Sequence, residues 1–189
     1  MKLLIATQNQ HKKHEIEVML KKTFEVVSLA DLGDTESVDE TGDTFFENAL
    51  LKAKHYAQKH RMLTLADDSG LSIDHLNGAP GVFSARYSGG SDLDNLNLVL
   101  KQMEKVENRE AHFTCMLVLY DPKTNVYQTY QGKLYGFITE EPKGHNGFGY
   151  DPIFYVPEQK QTLAEMPLDK KNQLSHRAIA LQALKEAFR

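Results

Sequence analysis

Two adjacent carboxylates, Asp67 and Asp68, followed by Ser69 and Gly70, close the apolar residues 62–66. Neighbouring side chains on a strand point to opposite faces, so at most one aspartate faces a given ligand; the other is left to hold the loop through backbone N–H groups. Paired acids at a strand end are a common setting for Mg²⁺, which takes one or two carboxylates together with phosphate oxygens. An Asp-rich turn without a ligand is the competing reading of the same four residues.

Phosphate chemistry also fits Thr7-Gln8-Asn9-Gln10-His11-Lys12, which lies between a predicted strand and a predicted helix. A helix N-terminus offers N–H groups and the positive dipole end, and Lys12 in the first turn is unfavourable there unless an anion such as phosphate offsets it. An ordinary capped helix with a solvated lysine is the plainer alternative, and the glycine spacing of a P-loop is absent.

In Gly144-His145-Asn146-Gly147-Phe148-Gly149-Tyr150-Asp151-Pro152, glycines allow close backbone approach, aromatic rings offer a stacking face for a base, and Asp151 can accept from a ring N–H. A tight loop with its aromatics in the core has the same composition. Lys170-Lys171 and Ser175-His176-Arg177 bring basic residues to a helix start, where a ligand oxygen or a carboxylate is needed beside them. Lys52 and Arg86 are placed for anion contact, although either alone is equally a solvated residue or half of an ion pair. His11 with His14, and His55 with His60, lack the i, i+4 spacing of a zinc helix and are read as surface residues.

These residues need a scaffold, and hydrophobic periodicity supplies one. Residues 2–6 read as a short buried strand, and Asn9 caps a helix over 10–22 whose Ile16, Met19 and Leu20 share a face. A strand over 24–29 leads into an acidic loop over 31–40. Thr44 and Glu47 form a capping box for a helix to residue 60, with Phe46, Ala49, Leu50, Ala53 and Ala57 as its buried stripe. The strand over 62–66 is expected to end at Asp67, with 71–73 able to continue extended. Residues 78–81 and 88–90 bracket a tight segment, and Ser91 opens a helix over 92–106. Long β-forming runs over 110–120 and 126–139 flank a turn and should pair antiparallel. A strand over 153–156 follows the glycine-rich loop, and Ser175 caps a final helix with Ile179, Leu181, Leu184 and Phe188 on its apolar side. Alternating strands and helices followed by a long hairpin imply a mixed α/β sheet, with the ligand cleft where strand ends release polar loops.

Composition bounds the partners. The chain has 189 residues, 41% of them hydrophobic and 25% charged, within the range of globular proteins. With 22 Lys and Arg against 26 Asp and Glu, the net charge of −4 gives no general grip on nucleic acid or on an anionic membrane. Neither a secretory leader nor a transmembrane stretch is legible, so a cytoplasmic protein is expected. The one cysteine, Cys115, lies in the apolar run 112–120 and is read as buried and inert.

Taken in order, the blocks resemble a known family. Ala6-Thr7-Gln8-Asn9 with Lys12 and Glu15, Glu40-Thr41-Gly42 with Phe45-Phe46-Glu47-Asn48-Ala49, and Ala66-Asp67-Asp68-Ser69-Gly70-Leu71 are similar to the inosine triphosphate pyrophosphatase family. So are residues 78–87, 146–154 and Ser175-His176-Arg177. The resemblance implies a single two-lobed α/β domain over 1–189, with a long mixed sheet flanked by helices and the active cleft between lobes. It implies a homodimer, Mg²⁺ dependence, and cleavage of ITP, dITP or XTP to the monophosphate and pyrophosphate. By resemblance, Thr7, Gln8, Asn9, Gln10, His11 and Lys12 hold the triphosphate, with Ser69 and Lys52 touching phosphate. Glu40 and Asp68 hold the metal, and Asp68 accepts the proton of the attacking water. Phe148, Gly149, Tyr150 and Asp151 form the base pocket, and Lys171, His176 and Arg177 close on the purine and its 6-oxo group. Many members of the family carry glycine where this chain has Gln8, and some carry tryptophan where it has Tyr150.

Hydrogen-bond inventory supports the base preference, because Arg177 has donors only and a 6-oxo group is an acceptor where adenine presents a donor. A Maf-like pyrophosphatase of modified or pyrimidine nucleotides is one alternative. A non-catalytic nucleotide-binding protein is another, and its expected sign, loss of Glu40 or Asp68, is absent from this sequence.

Overall fold

The computed structural model describes residues 1–188. In chain order the elements are β1 (Lys2–Ile5), α1 (Gln10–Leu20), β2 (Glu25–Ser28), α2 (Phe45–His60), β3 (Thr64–Ile73), α3 (Asp92–Gln102), β4 (Glu110–Asp121), β5 (Val126–Ile138), β6 (Phe154–Val156), β7 (Gln161–Thr162), α4 (Leu168–Leu174) and α5 (His176–Ala187). The strands form one sheet in the order β2-β1-β3-β4-β5-β6-β7. β1 is parallel to β2 and β3, whereas β6 is antiparallel to β5 and β7. This is the mixed, helix-flanked α/β sheet that the alternation of patterns predicts.

Contacts divide the chain into two compact units. The first holds Met1–Asp68, Cys115–Gly132 and the chain from Arg177; the second holds Ser69–Thr114 and Lys133–His176. In the first unit the twofold alternation of the strands builds two cores. Leu3, Ile5, Leu65, Cys115, Leu117 and Leu119 pack with Ile16 and Leu20 of α1 and Leu181 and Leu184 of α5. Leu4, Ala6, Ala66, Val118 and Tyr120 pack instead with Ala49, Ala53, Tyr56 and Ala57 of α2. The three alanines let α2 lie close to the strands, and a larger side chain at any of them would overpack by about 1–3 kcal/mol. The same alternation fixes the direction of the two aspartates. Asp67 follows Leu65 toward α1 and α5, and Asp68 follows Ala66 toward α2.

The second unit packs Leu71 and Ile73 of β3, Leu96, Val99 and Met103 on and after α3, Phe113 of β4, Ile138 of β5, and Tyr150, Ile153 and Phe154 into one cluster. Each such leucine or phenylalanine contributes about 1.5–3 kcal/mol relative to an exposed side chain.

Several expected boundaries are corrected. β3 does not end at Asp67: it continues through Asp68, Ser69 and Gly70 to Ile73. Acids in sequence read as a solvent-seeking turn, but here both are buried against cations, which lets the strand continue. α3 stops at Gln102 rather than residue 106, because Met103 leaves the helical region at φ −92° and ψ 6° and Lys105 adopts a left-handed φ of +62°. On α5, Leu181 and Leu184 are buried as expected, whereas Ile179 and Phe188 are exposed and Ala178 and Ala180 occupy the inner face. The short β7 and α4 carry too few residues for a periodic signal. Among the described residues no helix is long and apolar enough to cross a membrane.

Candidate active site

In the first unit a chain of buried charges runs from α1 through β3. β1 and β3 are parallel, with Ile5 opposite Leu65, so the segment after Ile5 and the two aspartates within β3 lie beyond the same end of this pairing. Asn9 caps α1 by accepting from the His11 and Lys12 N–H groups at 3.0 and 3.1 Å. Thr7 Oγ1 accepts from the Asn9 N–H at 3.2 Å. Gln10 and His11 are exposed in the first turn. The anion that Lys12 requires is supplied from within: its Nζ is 2.5 Å from Asp67 Oδ1. The other Asp67 oxygen accepts from Arg177 Nε at 3.1 Å and from Cys115 Sγ at 3.0 Å, and Arg177 also donates to Glu15 Oε2 at 2.6 Å. The loop-holding role expected for one aspartate is corrected by β3, which runs on through both acids and leaves no loop there to hold. Asp67 clamps two cations and a thiol instead.

Asp68 has the opposite environment. Lys52 Nζ lies 2.8 Å from Glu40 Oε1 and 3.5 Å from Asp68 Oδ1, and Asp68 Oδ2 is buried without a hydrogen-bond partner. Burial pushes the Asp68 carboxyl up to about 6, with Glu40 and Asp67 adding to the rise and Lys52 and Lys12 opposing it. Burial acts on Asp67 in the same direction, but Arg177 and Lys12 overcome it and hold Asp67 well below the usual carboxylate range. Two adjacent acids whose environments drive their affinities for a proton apart are suited to different tasks. Asp67 is a fixed charge; Asp68 can take a proton near neutrality.

Two carboxylates converging on one cation, one of them with an unpartnered buried oxygen, suit a hard divalent ion with oxygen ligands. No group of three or more His, Cys, Asp or Glu among the described residues is arranged to hold a metal. A cation beside Glu40 and Asp68 therefore completes its shell with water, or with substrate oxygens when nucleotide is bound.

The remaining histidine and loop residues are placed as follows. Gln8 Nε2 donates to the Asp34 and Glu36 carbonyls at 3.1 and 3.3 Å, tying the loop before α1 to the acidic loop. His60 is not a solvated surface residue: its Nε2 lies 2.6 Å from Asp34 Oδ2.

In the second unit the glycine-rich loop closes on Asp151. Its Oδ2 accepts from the Phe148 N–H at 2.9 Å and from Lys171 Nζ at 2.7 Å. The Lys171 ammonium also sits 4.8 Å from the centroid of the Phe148 ring. Gly147 has φ +76°, and a Cβ there would lie 2.0 Å from Asp151 Oδ2, so only glycine lets the loop turn this close. Gly149 likewise has a left-handed φ of +60°. Tyr150 is buried and donates its hydroxyl to the Ser84 carbonyl at 2.7 Å. The buried His176 ring stacks on Phe113 at 4.7 Å and 11°. Ser69 is half-buried on β3. Arg177, in the first turn of α5, has the neighbouring carboxylate that its helix position demands. Lys171 does not stand at a helix start as expected: it lies in the last turn of α4, where the dipole favours a cation, and its partner is Asp151.

The profile of the Ham1 family matches residues 3–187. The chain belongs to the Ham1 family. It is 47% identical over 187 residues to the dITP/XTP pyrophosphatase of Bacillus licheniformis, covering 96% of this chain and 95% of the relative. The structure of a HAM1 protein from Coxiella burnetii is similar with a TM-score of 0.90 at 38% identity, covering 99% of this chain and 98% of that one. The Staphylococcus aureus Ham1 protein gives 0.88 at 38% identity, with 100% of both chains covered. The resemblance read from the sequence blocks is borne out.

Sequence reasoning about this Ham1 chain left unassigned several residues that shape these clusters. Ser84 accepts from the Leu71 N–H through its hydroxyl, at 2.9 Å, and receives Tyr150 through its carbonyl. Phe113 supports His176. Neither carries a local sequence signal. Asn48 does, since it follows the capping-box residue Glu47 directly, and its side chain is fully buried on α2.

Proposed function

We propose that the chain is a Mg²⁺-dependent nucleoside triphosphate pyrophosphatase that hydrolyses ITP, dITP and XTP to the monophosphate and pyrophosphate, clearing them from the nucleotide pool. The observation that carries the reading is Asp68, a buried carboxylate raised to about 6 that shares Lys52 with Glu40. The Bacillus licheniformis relative, matched over nearly its full length, bears the corresponding name.

In this reading water attacks the α-phosphorus in line with the departing pyrophosphate, forming a new P–O bond as the bond to the bridging oxygen breaks. Asp68 accepts the proton of that water. A bound Mg²⁺, held by Glu40, Asp68 and phosphate oxygens, would offset the charge gathering on pyrophosphate and lower the pKa of water. Lys12 and Lys52 add positive charge along the triphosphate, which Thr7, Gln8, Asn9, Gln10, His11 and Ser69 bind with amide, hydroxyl and N–H groups. Asp67 keeps Lys12 and Arg177 in place. For the base, Phe148 and Gly149 offer a face, Tyr150 supports it from the core, and Asp151 and Lys171 present an acceptor and donors. His176 and Arg177 supply donors to the 6-oxo group, so adenine leaves donor facing donor. The homodimer and a cytoplasmic location belong to the same reading.

The test is incubation of the purified protein with Mg²⁺ and ITP, XTP, GTP, ATP, CTP or UTP singly. Monophosphate and pyrophosphate from ITP and XTP, with kcat/KM at least about 10³ above that for ATP, is the expected result. Turnover mainly of a pyrimidine nucleotide, or tight ITP binding without hydrolysis, would overturn it.

A further inference from the structure

We infer that Asn48 is a positioning residue for Glu40, setting where that carboxylate stands relative to Asp68. The inference rests on the reading of Glu40 and Asp68 as a divalent-cation site.

Glu40 lies in an irregular strap ahead of α2, with no strand or helix of its own to fix it. What fixes the strap is the first turn of α2. Asn48 Oδ1 accepts from the Gly42 N–H at 2.8 Å. Glu47 Oε2 accepts from the next two, Asp43 and Thr44, at 2.9 and 3.0 Å. Three consecutive N–H groups are thereby held by two adjacent side chains. Gly42 presses against them so closely that a Cβ would lie 2.5 Å from Glu47 Cβ and 2.8 Å from Asn48 Oδ1. One helical turn beyond Asn48, on the same face, Lys52 takes Glu40 Oε1 at 2.8 Å and approaches Asp68 Oδ1 at 3.5 Å. The helix thus sets the strap at one level and the carboxylates at the next.

Asn48 is also costly where it stands. Its side chain is fully buried and Nδ2 has no hydrogen-bond partner among the described residues. An apolar side chain at this depth would leave no donor unpaired, so the amide is retained for the one bond it makes, to the strap that carries Glu40.

The test uses the full chain with Asn48→Leu and, independently, Gly42→Ala, which unseats the strap from its other side. Mn²⁺ binding to the nucleotide-free protein is measured by electron paramagnetic resonance, together with the Mg²⁺ dependence of turnover. We expect both variants to bind Mn²⁺ at least tenfold more weakly and to need correspondingly more Mg²⁺, with KM for ITP at saturating Mg²⁺ within threefold of the parent. Asn48→Asp, which keeps the accepting oxygen, should recover part of the loss. Folded variants with unchanged Mn²⁺ affinity would overturn the inference. If Asn48→Leu fails to fold, Gly42→Ala decides by the same criterion. A parent protein that binds no Mn²⁺ would instead overturn the cation-site reading beneath it.

Discussion

Asp67 and Asp68 are adjacent in sequence and opposite in consequence. Removing the Asp67 charge leaves Lys12 and Arg177 facing each other in a buried site, so Asp67→Asn should lose about 3–5 kcal/mol of stability, measured by urea unfolding. Asp68→Asn removes a carboxylate whose ionised form burial already disfavours. It should leave stability nearly unchanged and lower kcat by about 10²–10⁴, with nucleotide affinity within a few-fold. A variant that keeps the parent rate at saturating Mg²⁺ would remove Asp68 from the chemistry. The sequence shows that the two acids diverge, and it shows chemistry at both. It does not show which acid faces which helix, because that depends on which strand face α1 and α2 cover. Arg177 illustrates the same limit: its partners Glu15 and Asp67 lie 162 and 110 positions away, beyond any local signal.

Among the elements, those with a local chemical signature were the most legible. Thr44 and Glu47 form the predicted capping box at α2, and Ser91 with Asp94 forms another at α3. Thr44→Ala should cost about 1 kcal/mol in thermal or urea unfolding, the usual value of an N-cap. Because Glu47 also holds the strap through Asp43 and Thr44, Glu47→Ala should cost at least as much. β3 outruns its expected end because burial of charge overrides composition, and the short β7 and α4 offer no period to read. Gln8, a departure from the glycine common at its position, proves to be a tie to the Asp34 and Glu36 carbonyls. That tie joins two loops far apart in sequence, so no spacing could announce it.

For the molecule as a whole, the mixed sheet could be read from the order of patterns, whereas the ion pairs that hold the acidic loop could not. Lys59 pairs with Asp34 and Glu36, at 2.8 and 2.6 Å, and His60 with Asp34. The Lys59 hydrogen bond, aided by the Glu36 N–H and His60, holds the Asp34 carboxyl well below its ordinary value against the opposing effect of burial. A depressed folded pKa gives stability that is complete above the unfolded value of about 3.9 and is lost as pH falls toward the folded one. Urea midpoints should therefore decline below about pH 4, and Asp34→Asn should flatten that decline. The account's central claim is where water attacks. Hydrolysis of ITP in H₂¹⁸O with Mg²⁺, followed by mass spectrometry of both products, locates the new P–O bond. Label in the monophosphate, with unlabelled pyrophosphate, is the predicted result. Label in pyrophosphate, or release of orthophosphate as the first product, would contradict attack at the α-phosphorus.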